Sequence, residues 1–232
     1  MNSGVATITA RATELLDRIR ALEVRYGRAP GSVTLVGISK THPVDYIREA
    51  FAAGVRNIGE SYLQEALPKL EALQDLPICW HFVGRIQANK TAAIAAGFDW
   101  VHGIDRIRVA RRLNDQRPEE RAALECCIEV NLSAEPGKGG VEPDELDELA
   151  DAVAGLPRLR LRGLMVIPAA SDGTDAQRVP FARLAACLRK LRSRHPQMDT
   201  LSMGMSDDME AAIAEGATMV RIGTALFGPR QS

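Results

Sequence analysis

Apolar positions recur along the chain in two alternating rhythms, one of helical period and one nearly continuous. From Val5 to Tyr26, the residues Ile8, Ala12, Leu15, Leu16, Ile19 and Leu22 fall on one face, with Arg11, Asp17 and Arg18 elsewhere. This spacing predicts an N-terminal helix, followed by a turn over 27–31. The run Val33-Thr-Leu-Val-Gly-Ile38 is mostly apolar at both parities, as in a strand covered on both faces. Further strands are predicted over 55–58, 77–83, 99–102, 124–132, 159–167, 200–203 and 218–222. Helices are predicted between them over 44–53, 60–72, 87–96, 106–115, 143–154, 176–194 and 207–215. Glycines close several of these helices, among them Gly54, Gly97, Gly155 and Gly216. Pro68 predicts a kink, Pro180 a late start for its helix, and Ser206 an N-cap.

Regular strand–helix alternation with short loops predicts a parallel sheet with helical crossovers. About eight such units in 232 residues fit a single (β/α)8 TIM-like barrel with an extra N-terminal helix. One domain is expected over residues 1–232, with residues 1–27 as the helix packed on the barrel. The loop over 133–142, rich in glycine, is expected to be the most mobile segment, followed by 169–175.

Composition narrows the functional classes. Net charge is −1 and aromatics are 4%, so neither electrostatics nor base stacking points to nucleic acid. No apolar run approaches membrane-spanning length, and Met1-Asn-Ser-Gly does not begin a signal peptide. Cys79, Cys126, Cys127 and Cys187 form no C-x-x-C, and reduced core thiols in a cytoplasmic protein are the expectation. No grouping has metal-ligand spacing.

Barrels of this kind carry their chemistry where strands end. The residues there are Lys40, Asn57, His81 with Arg85, Asn131, Met165, 202–206 and 221–224. Lys40 shares parity with Val36 and Ile38, so it points with core residues or snorkels to water. Ser202-Met-Gly-Met-Ser206 and Arg221-Ile-Gly-Thr224 end the last two strands. Those loops are the recurrent phosphate position of this fold, and glycine lets oxygens approach. Arg221 alternates with Val220 and Ile222 and, being unable to lose its proton, needs partners. A fixed cation near Lys40 would lower its pKa and suit Schiff-base formation. Phosphate site, lysine and arginine together describe a pyridoxal phosphate (PLP) site, with the arginine holding the pyridine nitrogen unprotonated. His81 reads as a structural strand histidine and Lys90 as a solvated one.

Several stretches identify the chain with a known family. They are Val36-Gly-Ile-Ser-Lys-Thr41, Asn57-Ile-Gly-Glu-Ser-Tyr-Leu-Gln-Glu65, Trp80-His-Phe-Val-Gly-Arg-Ile-Gln-Ala-Asn-Lys90, Gly163-Leu-Met-Val-Ile-Pro168, Leu201-Ser-Met-Gly-Met-Ser-Asp-Asp-Met-Glu210 and Val220-Arg-Ile-Gly-Thr-Ala-Leu-Phe-Gly228. Together they resemble the pyridoxal phosphate homeostasis protein family, which is similar to the barrel domain of alanine racemase. The resemblance implies that Lys40 forms the internal aldimine and that Arg221 faces the pyridine nitrogen. It implies that Ser206, Gly223 and Thr224 hold the phosphate, while Asn57 and Met203 line the cofactor. Ser61 departs from the asparagine common in the family, and Arg85 falls at a variable position. The implied function is intracellular vitamin B6 homeostasis: binding, buffering or delivering PLP, without turnover, with PLP-dependent apoenzymes as partners. The alternatives are an amino-acid racemase and a Schiff-base aldolase. Racemisation needs acid/base groups on both faces, and Tyr26, Tyr46 and Tyr62 are not obviously at strand C-terminal ends. A barrel closed by its own strands leaves no edge to bury, so a monomer is expected.

Overall fold

The computed structural model describes residues 7–133, 139–169, 171 and 173–229. Val5 of the predicted helix lies outside these residues, as do 134–138, 170 and 172 of the two loops expected to be mobile. Eight parallel strands close into a barrel in sequence order. They are β1 (Thr34–Ile38), β2 (Asn57–Glu60), β3 (Cys79–Phe82), β4 (Trp100–Ile104), β5 (Leu124–Glu129), β6 (Leu159–Met165), β7 (Thr200–Ser202) and β8 (Met219–Ile222). β8 pairs back onto β1 with Val36 opposite Arg221, and β1 pairs onward to β2 with Val36 opposite Asn57. The helices are α1 (Ile8–Arg25), α2 (Val44–Ala52), α3 (Leu63–Ala72), α4 (Thr91–Gly97), α5 (Ile107–Gln116), α6 (Leu146–Ala154), α7 (Thr174–Leu191), α8 (Met209–Ala214) and α9 (Thr224–Phe227).

α1 precedes the barrel and packs against α2, α8 and α9. Thr7 caps it by accepting from the Ala10 amide at 3.2 Å. Its buried Glu23 accepts from the amides of Gly31 (2.9 Å) and Val33 (2.7 Å). That carboxylate satisfies the turn that delivers the chain into β1.

Two apolar shells follow from strand alternation. Val36, Ile38, Trp100, Cys127, Met165 and Met219 form the inner one, inside the barrel. A larger shell between strands and helices holds residues such as Leu35, Ile58, Val101 and Val220. β6 and β7 meet so closely at Gly163 that a Cβ there would lie 1.8 Å from the Thr200 carbonyl oxygen.

Three local expectations are corrected. β2 begins at Asn57 and runs to Glu60, two residues later than the apolar pattern suggests, because Glu60 is buried with partners described below. α7 begins at Thr174 despite Pro180, which lies inside it. One backbone bond is lost there, and the buried Phe181, Leu184 and Leu188 hold the helix to the barrel. α8 is capped by Asp208, not Ser206. The Asp208 carboxylate turns back to accept from the Met205 amide at 2.5 Å, so 206–208 form a turn rather than the first helical residues.

Candidate cofactor-binding site

Lys40 stands two residues beyond β1, and the residues around it explain its placement. The buried Ser39 hydroxyl donates to Glu60 Oε1 at 2.5 Å. Lys69 of α3 reaches in and donates to the same oxygen and to the Ser39 carbonyl, both at 2.7 Å. Glu60 Oε2 has no partner among the described residues. Burial pushes the Glu60 pKa up, and the bonds from Lys69 and Ser39 pull it back. Beyond Lys40 the backbone turns sharply at Thr41, whose φ of 65° is costly for a β-branched residue. The Thr41 amide donates to Glu65 Oε2 at 2.8 Å, and the His42 amide donates to the Ser39 carbonyl at 3.0 Å. Lys40 is thus carried on a strand end held from the α3 side.

The half-buried Lys40 lines a cavity of about 490 Å³ at the C-terminal mouth of the barrel, together with Ser206, Asp207, Arg221, Gly223 and Thr224. Lys40 follows β1, Ser206 and Asp207 lie in the turn after β7, and Arg221, Gly223 and Thr224 come from β8 and the segment after it, so the cavity straddles the seam where the barrel closes. Gly223 is the N-cap of α9; its carbonyl accepts from the Leu226 and Phe227 amides, and the Thr224 and Ala225 amides have no backbone partner among the described residues. A Cβ on Gly223 would meet the Ile38 carbonyl oxygen at 3.5 Å, an ordinary contact, so Gly223 lies against the end of β1. Amine, guanidinium, two hydroxyls and the α9 opening turn form a donor set suited to an aldehyde-bearing phosphate. Asp207 is the one acidic residue on this wall among the described residues, and the Asp208 carboxylate is engaged with the Met205 amide.

Arg221 is 5% exposed and makes no ion pair among the described residues. It donates to the Ser202 hydroxyl at 2.8 Å and to the Val166 carbonyl at 2.9 Å. Burial pushes its pKa down to about 10, with Asp208 and Glu129 opposing, so it remains a cation at neutral pH. Behind Ser202 lies a polar row that the reading of His81 as an isolated structural residue missed. Ser202 Oγ is 2.7 Å from His102 Nδ1, His102 Nε2 is 2.9 Å from His81 Nδ1, and His81 Nε2 is 3.0 Å from Asn57 Oδ1. Both histidines are fully buried, and burial depresses both, His81 to about 3 and His102 well below its usual value. The signal available beforehand was a polar residue of inward parity on each of several strands.

The remaining candidates are elsewhere. Asn57 is half-buried and reaches the site through His81 rather than lining the cavity. Met203 has the parity opposite to Ser202 and is fully buried in the shell between strands and helices. Met165 belongs to the inner shell, Asn131 donates to Glu142 at 2.8 Å, Arg85 is exposed and Lys90 is half-buried. Tyr62 corrects the expectation for the tyrosines: it stands just past the end of β2, on the cavity's face of the barrel, and is 54% exposed.

Comparison with known proteins points to one family. The family model for the N-terminal domain of alanine racemase matches residues 15–231. A pyridoxal phosphate homeostasis protein of Pseudomonas aeruginosa is 52% identical over 226 residues, covering 97% of each chain. Its counterpart in Escherichia coli K12 is 50% identical over 226 residues, covering 96% of this chain and 97% of that one. The structure of PipY from Synechococcus elongatus, with PLP bound, superposes with a TM-score of 0.82 at 36% identity, over 94% of this chain and all of that one. Alanine racemase from Corynebacterium glutamicum, 18% identical with a TM-score of 0.67 over 97% of this chain and 62% of that one, shares the fold. Matched nearly end to end by relatives at about half identity, the chain belongs to the pyridoxal phosphate homeostasis protein family.

Proposed function

We propose that this chain binds PLP in the cavity at the barrel seam and serves intracellular PLP homeostasis by holding or releasing it, without turnover. The observation that carries this reading is that one cavity unites Lys40 with Arg221, Ser206, Gly223 and Thr224. Bound PLP supplies an aldehyde for the lysine amine and a phosphate dianion for the donors after β7 and β8. Lys40 anchors the ligand. Ser206, Thr224 and the α9 turn orient the phosphate. Arg221 presents a permanent cation to the ring nitrogen and keeps it unprotonated, which leaves the ring a weak electron sink. Asn57 is proposed to contribute from deeper in the barrel, and Met203 to support the β7 loop from behind.

Binding without turnover is supported by where the tyrosines stand. Tyr26 bonds Glu210 at 3.0 Å, Tyr46 stacks on His42, and Tyr62 is exposed past β2; none is among the cavity's lining residues. The fuller form of the proposal is a monomeric cytoplasmic carrier that hands PLP to apoenzymes. Four free cysteines among the described residues suit a reducing compartment.

The test is reconstitution. Protein incubated with PLP and then treated with borohydride should gain one phosphopyridoxyl mass, located at Lys40 by peptide mapping. Lys40→Ala should gain none there. A wild-type protein left unmodified, or modified equally in the variant, would overturn the reading. Rapid conversion of L-amino acids to the D-form would replace it with racemisation.

A further inference from the structure

The polar row across the barrel interior has a direction, because Arg221 at one end can only donate and only one arrangement of the rest gives every buried hydrogen an acceptor. Arg221 can only donate, so Ser202 Oγ accepts from its Nη1. At the far end Asn57 Oδ1 can only accept, so His81 Nε2 carries a hydrogen and donates to it. A neutral His81 then accepts at Nδ1, which makes His102 Nε2 a donor. His102 Nδ1 is left as an acceptor, and the Ser202 hydroxyl hydrogen points to it. His81, His102 and Ser202 each donate once and accept once within the row, and both rings are the Nε2–H tautomer.

The opposite orientation does not close. With the Asn57 amide turned to present its NH2, both histidines would switch tautomer and His102 Nδ1–H would donate to Ser202. That hydroxyl already accepts from Arg221, and its own hydrogen would have no acceptor among the described residues. A buried hydroxyl left so is costly. A charged histidine fails at the same place: with either ring charged, His102 Nδ1 carries a hydrogen toward Ser202, and the serine's own hydrogen again has no acceptor among the described residues. Both rings are fully buried, and the suppression of their charged forms by that burial is consistent with this. Trp100 stacks on His81 with ring centroids 5.6 Å apart and planes 12° apart, holding that ring in the plane the row needs.

We propose that Asn57, His81, His102 and Ser202 are positioning residues for Arg221, forming a hydrogen-bond relay of fixed direction that sets where its guanidinium points in the cofactor cavity. Ser202 and the Val166 carbonyl hold Arg221 from two sides, and a guanidinium has five N–H groups, so donors remain for a ligand. The relay makes Ser202 a hydrogen-bond acceptor toward Arg221 with its own hydrogen committed elsewhere. Its consequence for PLP rests on the function proposed above. The relay itself does not, and the two parts are tested separately.

Long-range nitrogen–hydrogen NMR of protein free of added cofactor, labelled at histidine, reads the tautomers directly. His81 and His102 should both show the Nε2–H pattern and hold it unchanged from pH 8 to pH 5. An Nδ1–H tautomer or a charged ring at either position would overturn the relay whether or not PLP binds. The second arm compares His102→Gln with His102→Leu. Glutamine can accept from Ser202 and donate to His81, whereas leucine breaks the row. The leucine variant should bind PLP about tenfold more weakly, with a shifted absorbance maximum for the bound cofactor, and glutamine should restore most of both. Leucine behaving as wild type would refute the positioning role. Should His102→Leu fail to fold, Ser202→Ala takes its place, with the same losses expected.

Discussion

Lys69→Met isolates the buried cluster behind Lys40. Lys69 bonds Glu60 Oε1 and the Ser39 carbonyl at 2.7 Å, and the side chains are 10% and 0% exposed for Lys69 and Glu60. Removing one partner of such a pair leaves an uncompensated charge and costs about 3–5 kcal/mol. For a chain of this size that is a melting-temperature drop of roughly 6–20 °C. The loss should depend on pH, and its sign follows from Glu60. Its folded pKa already lies above the unfolded value, chiefly through burial, and the variant removes the Lys69 bond and charge that lower it. The folded variant therefore favours the protonated acid. The stability so favoured is fully present below the unfolded pKa near 4.5 and is lost as pH rises through the raised folded pKa. Urea unfolding followed by circular dichroism should show the full penalty at pH 8 and a clearly smaller one at pH 5. The double variant Glu60→Leu/Lys69→Met, which leaves no unpaired charge, should recover most of the loss. An equal penalty at both pH values, or one below about 1 kcal/mol at pH 8, would refute the assignment of Glu60 as a buried, paired carboxylate.

Gly163→Ala should part β6 from β7, because its Cβ would lie 1.8 Å from the Thr200 oxygen; thermal melting should show a loss of about 3 kcal/mol or more. Burial raises the thiols of Cys126 and Cys127, the latter to about 12, so iodoacetamide at pH 8 should label neither in native protein and both in urea. Ser206→Ala combined with Thr224→Ala should weaken PLP binding about a hundredfold while leaving binding of unphosphorylated pyridoxal nearly unchanged in equilibrium titration, since each lost charge-assisted bond is worth about 1.5 kcal/mol or more.

The barrel was legible because its signals are local: an apolar run, a glycine, then a helical stripe, repeated. Lys40 and Arg221 were legible for a related reason. Each is a charged residue at the parity of a buried strand face, and the inner shell containing Val36 and Ile38 confirms which way that face looks. Ser206 was assigned to the helix cap because Asp207 and Asp208 both looked like first-turn residues. Only the fold of the 205–208 turn shows Asp208 closing it. Lys69 was invisible because a lysine in a helix reads as solvated, and its bond to Glu60 depends on where α3 docks. The relay was hidden by register. His81 and His102 lie 21 residues apart, and His102 lies 100 residues from Ser202, so only the closed barrel brings them together. Met203 shows the limit of motif transfer: its neighbour Ser202 points inward, so strand alternation sends Met203 outward.

The pairing of β8 onto β1 makes the cavity a reporter of barrel closure. Lys40 leaves the ribosome well before its companions Arg221, Gly223 and Thr224, which lie far later in the chain. No nascent chain that stops before α9 possesses the site, and no half-closed barrel does either. Ligand that binds only the closed state adds RT ln(1 + [L]/Kd) to stability, about 2.7 kcal/mol at a hundredfold excess over Kd. That increment falls on the β1–β8 junction, which must reach across almost the entire sequence and is entropically the hardest to form. The abundance of the folded protein would then follow the supply of its own ligand.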